Sequence, residues 1–196
     1  MKLKLKEYLD AEIPKIKGKK GIIRFISFIK EMRYNPSSNA IFLLRYCYVY
    51  QEAKGIRKYL RIHFNRLLVN RYGIYFNLSS KGSIGKGLFL PHPTSIVFGD
   101  GVNMGENCII YQNVTFGAKK RGENSMEGGI RYPQIGKNCV FYAGASIIGP
   151  ICVADGTQVG ANAVLISDTE EFSIYAGVPA IRKSWAHETD HQDNIQ

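Results

Sequence analysis

The chain has 196 residues, 45% of them hydrophobic and 21% charged, with a formal net charge of +10. That length gives one ordinary domain with its own core and room for a small appendage. The four cysteines, Cys47, Cys108, Cys139 and Cys152, lack C-x-x-C pairing and metal-ligand spacing, which excludes a disulfide framework and predicts no metal site in a reduced, cytoplasmic setting.

The charge is unevenly placed. Residues 1–76 hold seventeen Lys and Arg against five Asp and Glu, whereas residues 77–196 hold nine against eleven. The start, MKLKLKEYLD, lacks the uninterrupted apolar run of a signal peptide. The longest apolar run, Ile41 to Tyr50, is broken by Arg45 and falls short of the ~20 residues that span a bilayer. No transmembrane segment is expected.

In chain order, residues 1–71 read as a basic helical region, 72–183 as a β-structured domain and 184–196 as a polar tail. Residues 1–35 are amphipathic, with breaks at Pro14, Gly18 and Gly21, and Asn35-Pro36-Ser37-Ser38 is a turn that can cap a following helix. From Asn39 to Asn70, Ile41, Leu44, Tyr48, Ile56, Leu60, Phe64, Leu67 and Leu68 recur at helical spacing, with Gly55 separating two helices. Arg57, Lys58, Arg61, Arg66 and Arg71 alternate with Tyr59, Phe64 and Tyr72. The aromatics favour packing on the rest of the protein, while the charges leave open a peripheral contact with anionic lipid or a solvated surface. No helix-turn-helix, zinc or RNA-binding signature is present, so nucleic acid is not an expected partner.

The centre of the chain follows another rule. An apolar or small residue returns every sixth position through Ile84, Leu90, Ile96, Val102, Cys108 and Val114, and again through Ile135, Phe141, Ile147, Val153, Val159 and Leu165. A period of six fits neither a helix nor an amphipathic strand. It fits a solenoid in which three short strands close a triangular coil and coils stack about 4.8 Å apart. The recurring residue points inward, and Gly, Asn and Asp take the corners. The residues from Val114 to Ile135 break the count, so 118–133, with Lys119, Lys120 and Arg121, reads as a loop thrown from one corner, and an excursion of this length in a regular solenoid points to function. His187 and His191, in the tail, are expected to be solvated.

One ionisable side chain stands apart in this stretch, His92, held between Pro91 and Pro93. The flanking rings restrict the backbone, and imidazole is suited to general-base work near neutral pH. A surface histidine at a stiff turn is the plain alternative.

These residues, IGKGLFLPHPTSIVFG from Ile84, QNVTFG from Gln112, RYPQIG from Arg131 and AGVPA from Ala176, occur in the order found in serine acetyltransferases. Over about residues 70–182 the chain resembles that branch of the hexapeptide-repeat acyltransferases, most of all the shorter enzymes of capsule and exopolysaccharide synthesis. The resemblance implies a mainly β fold, a left-handed parallel β-helix, in a homotrimer with active sites between subunits and acetyl-CoA lying along the coil. It makes His92 the base that deprotonates an acceptor hydroxyl. It gives contacts with the coenzyme to Gly117, Ala118, Ala143, Ala161, Gly177 and Pro179, with Lys183 or Arg182 meeting a phosphate. Small residues suit a thin pantetheine arm that runs close to the backbone.

Three positions depart from the family pattern. Asn77 replaces the carboxylate that orients the histidine, Pro91 replaces one that holds the amino group of serine, and Tyr132, beside a retained Arg131, replaces a second histidine. A zwitterionic acceptor needs an anion beside its ammonium group, so the sequence favours a sugar hydroxyl, in cell-surface polysaccharide synthesis, with Pro91, Arg131 and Tyr132 contacting the saccharide. Serine O-acetylation is the alternative, and a non-catalytic trimeric scaffold is the alternative outside enzymes. The expected location is the cytoplasm or the inner face of the membrane.

Overall fold

A computed structural model describes residues 3–76, 82–118 and 132–185. Asn77, Arg131, most of the 118–133 loop and both tail histidines lie outside the described residues.

The front of the chain is helical: α1 (Leu5–Glu12), a 3₁₀ turn (Pro14–Ile16), α2 (Gly21–Tyr34), α3 (Pro36–Val49) and α4 (Ile56–Tyr72). Pro36 opens α3, and Asn35 Oδ1 accepts from the Ser38 N–H at 3.2 Å, the cap that the turn cluster predicts. α3 is the central helix, burying Ile41, Leu44, Cys47 and Tyr48. α4 departs from expectation in part. Leu68 and Tyr72 are buried and Phe64 packs half-buried against the core, but Tyr59, also expected to pack, is exposed together with Ile56. α3 and the start of the coil support one side of α4 and leave the rest of its apolar surface in water. Gly73 ends it in the left-handed conformation at φ +62°.

The coil follows. Face I holds β1 (Tyr75–Phe76), β3 (Val97–Phe98), β6 (Thr115–Ala118), β9 (Ser146–Gly149) and β12 (Val164–Leu165). Face II holds β2 (Ser83–Ile84), β4 (Asn103–Met104), β7 (Gln134–Ile135) and β10 (Cys152–Val153). Face III holds β5 (Ile109–Ile110), β8 (Val140–Phe141), β11 (Gln158–Val159), β13 (Ser173–Ala176) and β14 (Ile181–Trp185). Pairing is parallel throughout, apart from β13 with β14. The strand therefore continues to Trp185, past the point where the sequence places a polar tail.

All twelve sixfold residues are buried, but the sequence count hides a shift. Phe98 pairs with Phe116, and Phe141 with Val159, each eighteen residues on. Ile84 pairs with Met104, twenty residues on, and Phe89 bridges Ile109 at the same interval. Two residues are therefore inserted between Leu90 and Phe98. Past them Ile96, Val102, Cys108 and Val114 each sit two positions before the strand residues Phe98, Met104, Ile110 and Phe116. Both positions point inward, so the count runs on although the register has changed. Corners use left-handed Gly and Asn as expected, but Ser95 and Phe172 also adopt positive φ, and no Asp in the described residues does.

Helices and coil share one apolar core. At their junction Arg45, fully buried, engages the Glu12 carboxylate through Nε at 2.9 Å and through Nη2, and donates from Nη1 to the Ile84 carbonyl at 2.9 Å. The Leu88 N–H donates to Glu12 at 3.0 Å, and the Arg45 guanidinium lies 4.2 Å over the Tyr8 ring.

Cys108 and Cys139 are buried in the coil, but Cys152 is exposed. Burial pushes the Cys47 thiol up to about 12. The neighbouring Cys108 and burial hold Cys139 well above the ordinary thiol range. One of the four cysteines, Cys152, is therefore expected to react rapidly with Ellman's reagent in the native protein, and all four after unfolding. Rapid native labelling of more than one thiol would contradict this packing.

Candidate active site

The inserted pair of residues builds the corner that carries His92. Face III ends at Leu90 and face I begins at Val97, so the chain must turn through Pro91 to Ile96. Pro91 and Pro93 have no N–H to give a ladder, and Pro93 is buried. The Thr94 N–H returns to the His92 carbonyl at 2.7 Å. Ser95, at φ +53°, donates its N–H to the Tyr72 carbonyl at 2.8 Å, which ties the corner to the end of α4. The His92 side chain is left exposed on a fixed backbone. Its ring lies 6.0 Å from Tyr111, which stacks at 5.4 Å on Tyr142. Among the described residues no hydrogen bond or ion pair engages the imidazole. Asn77, its expected orienting partner, is outside them.

Above His92 the same edge recurs in each coil. The Asn113 N–H donates to the Thr94 carbonyl, Gly144 to Gln112, Asn162 to Ala143, and Val164 to Gly177. Ala143, Ala161 and Gly177 thus stand in one column above Gln112 and Thr94, two residues past His92. Four coil steps from His92 to Gly177 span about 19 Å at roughly 4.8 Å per step. The small side chains leave a shallow track beside the backbone. At Gly177, φ +98° excludes a β-carbon without strain. Pro179 lies in the turn after it and is exposed, as is Lys183 in β14.

Gly117 and Ala118 are not in this column. They end the β6 strand at the opposite edge of face I, where Tyr132 also lies. A β-carbon on Gly99 would come within 2.5 Å of the Tyr132 ring, and one on Gly101 within 3.1 Å. Two glycines on one corner therefore make room for that ring. Within one chain, Tyr132 and His92 occupy different edges of face I. Pro91 neighbours His92 and is half-buried.

Beside Tyr132 is a cleft of about 310 Å³ between α4 and face I, lined by Asn65, Val69, Tyr75, Phe98, Asp100 and Tyr132. Asn65 Oδ1 and Asp100 Oδ1 are buried with no hydrogen-bond partner among the described residues. An acceptor left unpaired in this way costs about 1–3 kcal/mol, so the pair suits a ligand that brings donors. Neither residue stands out in the sequence. Asp100 is in a Gly-Asp-Gly corner, read there as turn chemistry alone, and Asn65 is on a helix with no local signal. Tyr111, by contrast, carries a sequence signal: a tyrosine follows the apolar pair in both Ile109-Ile110-Tyr111 and Val140-Phe141-Tyr142. Among the described residues no group of three or more His, Cys, Asp or Glu could hold a metal ion.

No protein-family model matches the sequence. The chain is 38% identical over 97 residues to serine acetyltransferase of Helicobacter pylori, covering 50% of this chain and 54% of that protein. It is 34% identical over 96 residues to the serine acetyltransferase of Mycobacterium tuberculosis, covering 49% of this chain and 40% of the relative. The chain spans about half the length of the curated relatives it matches. The solved structure of Neisseria gonorrhoeae serine acetyltransferase in complex with serine superposes with a TM-score of 0.69 at 24% identity, over 92% of this chain and 69% of that one. A serine acetyltransferase in complex with CoA gives 0.59 at 21%, over 90% and 82%. In sequence the chain is similar to serine acetyltransferases over about half its length, and in structure it shares their fold.

Proposed function

We propose that the protein is an acetyl-CoA-dependent O-acetyltransferase with His92 as general base and the hydroxyl of serine as acceptor. The observation that carries this reading is His92, exposed on a rigid inserted corner at the foot of a column of small residues, in a chain similar to serine acetyltransferases. The acetyl donor would lie along Ala143, Ala161 and Gly177, with Lys183 near its phosphates. As the acceptor oxygen attacks the thioester carbonyl, the imidazole takes its proton. Collapse of the tetrahedral intermediate expels the CoA thiolate, which recovers that proton from the imidazolium.

We infer a left-handed coil in a homotrimer, acting in the cytoplasm, in which the Tyr132 edge of one subunit meets the His92 edge of the next. Gly117, Ala118 and Arg131 would then reach a site shared between subunits. In that arrangement Asp100 would supply the anion that a serine ammonium group needs. Pro91 cannot face an ammonium group, but the Asp100 carboxylate can do so from the Tyr132 cleft. A saccharide acceptor in cell-surface polysaccharide synthesis remains the second reading, favoured by Pro91 and by a tyrosine able to stack on a sugar.

Asp100→Asn separates the two. With serine, the KM for the acceptor should rise roughly tenfold to a hundredfold, the loss of one charge-assisted hydrogen bond, while the KM for acetyl-CoA stays unchanged. An unchanged serine KM would remove Asp100 from the site. Efficient turnover of a saccharide, with none of serine, would establish the second reading. Absence of CoA binding would leave only a scaffold.

A further inference from the structure

Helix α2 turns Arg24 and Glu31 toward the protein and several of its apolar side chains toward water. Arg24 pairs inward with Asp10 at 2.7 Å, and buried Glu31 receives the Ser38 hydroxyl at 3.1 Å and Lys15 at 3.1 Å. Phe28 and Met32 are the apolar residues it lays against the body. On the opposite side, at helical spacing, stand Ile22, Phe25, Ile26 and Ile29, exposed by 68%, 60%, 60% and 48%. An exposed apolar stripe of this size marks an interaction surface.

The surroundings of the stripe identify its occupant. From Ile13 to Asn35 there are seven Lys and Arg and a single acid, Glu31, which is already engaged. Lys17, Lys20, Lys30 and Arg33 are exposed around the stripe, and no acidic partner among the described residues pairs with them. At its C-terminal end a groove of about 660 Å³ is lined by Ile29, Met32, Arg33, Tyr34 and Arg71, two guanidinium groups over an apolar floor. Arg33 and Arg71 lie 5.8 Å and 5.5 Å over the rings of Tyr34 and Tyr72. Apolar side chains bordered by cations, with guanidinium groups at one end, match the acyl boundary and phosphodiesters of a phospholipid surface. No helix among the described residues is long and apolar enough to cross a membrane, so the contact is peripheral.

We propose that α2 lies on an anionic bilayer, with Ile22, Phe25, Ile26 and Ile29 in the acyl boundary and Arg33 and Arg71 on lipid phosphates. The sequence left such a contact open for the N-terminal helices, and α2 is the one whose exposed apolar stripe fits it. The test is co-sedimentation of the full chain with phosphatidylcholine vesicles, with and without about a quarter phosphatidylglycerol. Binding should need the anionic lipid and weaken as salt rises. Phe25→Glu with Ile26→Glu, two exposed positions far from His92, should weaken it roughly tenfold or more and leave acetyl transfer unchanged. Arg33→Glu with Arg71→Glu should abolish the preference for anionic vesicles. Equal binding of wild type and the Phe25/Ile26 variant, or equal binding to neutral and anionic vesicles, would overturn the proposal. So would a wild type that ignores every vesicle and self-associates in light scattering through the same residues, which would assign the stripe to a second copy.

Discussion

His92→Ala is expected to lower kcat for acetyl transfer by about 10²–10⁴-fold while CoA binding and the fold persist. The side chain is exposed and, among the described residues, its ring contact is with Tyr111, so its loss opens no cavity. The corner is fixed by its backbone, through Thr94 to His92 and Ser95 to Tyr72, and those bonds survive the substitution. A loss in kcat and in kcat/KM together would locate the effect in the transition state. Wild-type turnover in the variant would reduce His92 to a stiff surface turn.

The largest expected loss of stability comes from Arg45→Met. The substitution leaves the Glu12 carboxylate and the Ile84 and Gly85 carbonyls in the core without their cation. Breaking one side of a buried pair costs about 3–5 kcal/mol, whereas an apolar replacement of both sides often costs little. Arg45→Met with Glu12→Leu should therefore recover much of the loss in urea unfolding. Burial already pushes the Glu12 carboxyl above the usual range, with Arg45 and the Gly87 and Leu88 N–H groups pulling it back. Without Arg45 its folded pKa moves further above the unfolded value. The variant should then be most stable below the ordinary carboxylate range and lose stability as pH rises through the folded pKa. A variant equally stable at pH 5 and pH 8 would show that Glu12 does not depend on Arg45.

The coil was legible because its inward positions are filled by apolar side chains at a period that no helix or flat strand shares. The residues that position the site were less so. Ile96 to Val114 keep the period of six across an inserted pair, since two positions per repeat face inward, and a periodic count cannot tell one from the other. The insertion that raises His92 from the surface emerged only from strand pairing, Ile84 with Met104 against Phe98 with Phe116. Arg45 read as an interruption in an apolar run, because its partner Glu12 lies thirty-three residues away. Asp100 read as a corner residue because its cleft is made by α4, a helix whose placement depends on tertiary contacts. The amphipathic pattern of residues 1–35 was legible, but period alone does not say which side of α2 meets the protein.

The central claim, acetyl transfer from acetyl-CoA to a hydroxyl with serine as acceptor, is tested most directly by incubating the protein with acetyl-CoA and L-serine and following O-acetylserine by mass spectrometry alongside thiol release. The expected result is stoichiometric O-acetylserine and CoA at a kcat/KM of about 10⁴ M⁻¹s⁻¹ or above, with both products lost in His92→Ala. Binding of acetyl-CoA with no acetylation of serine or of any saccharide offered would contradict it.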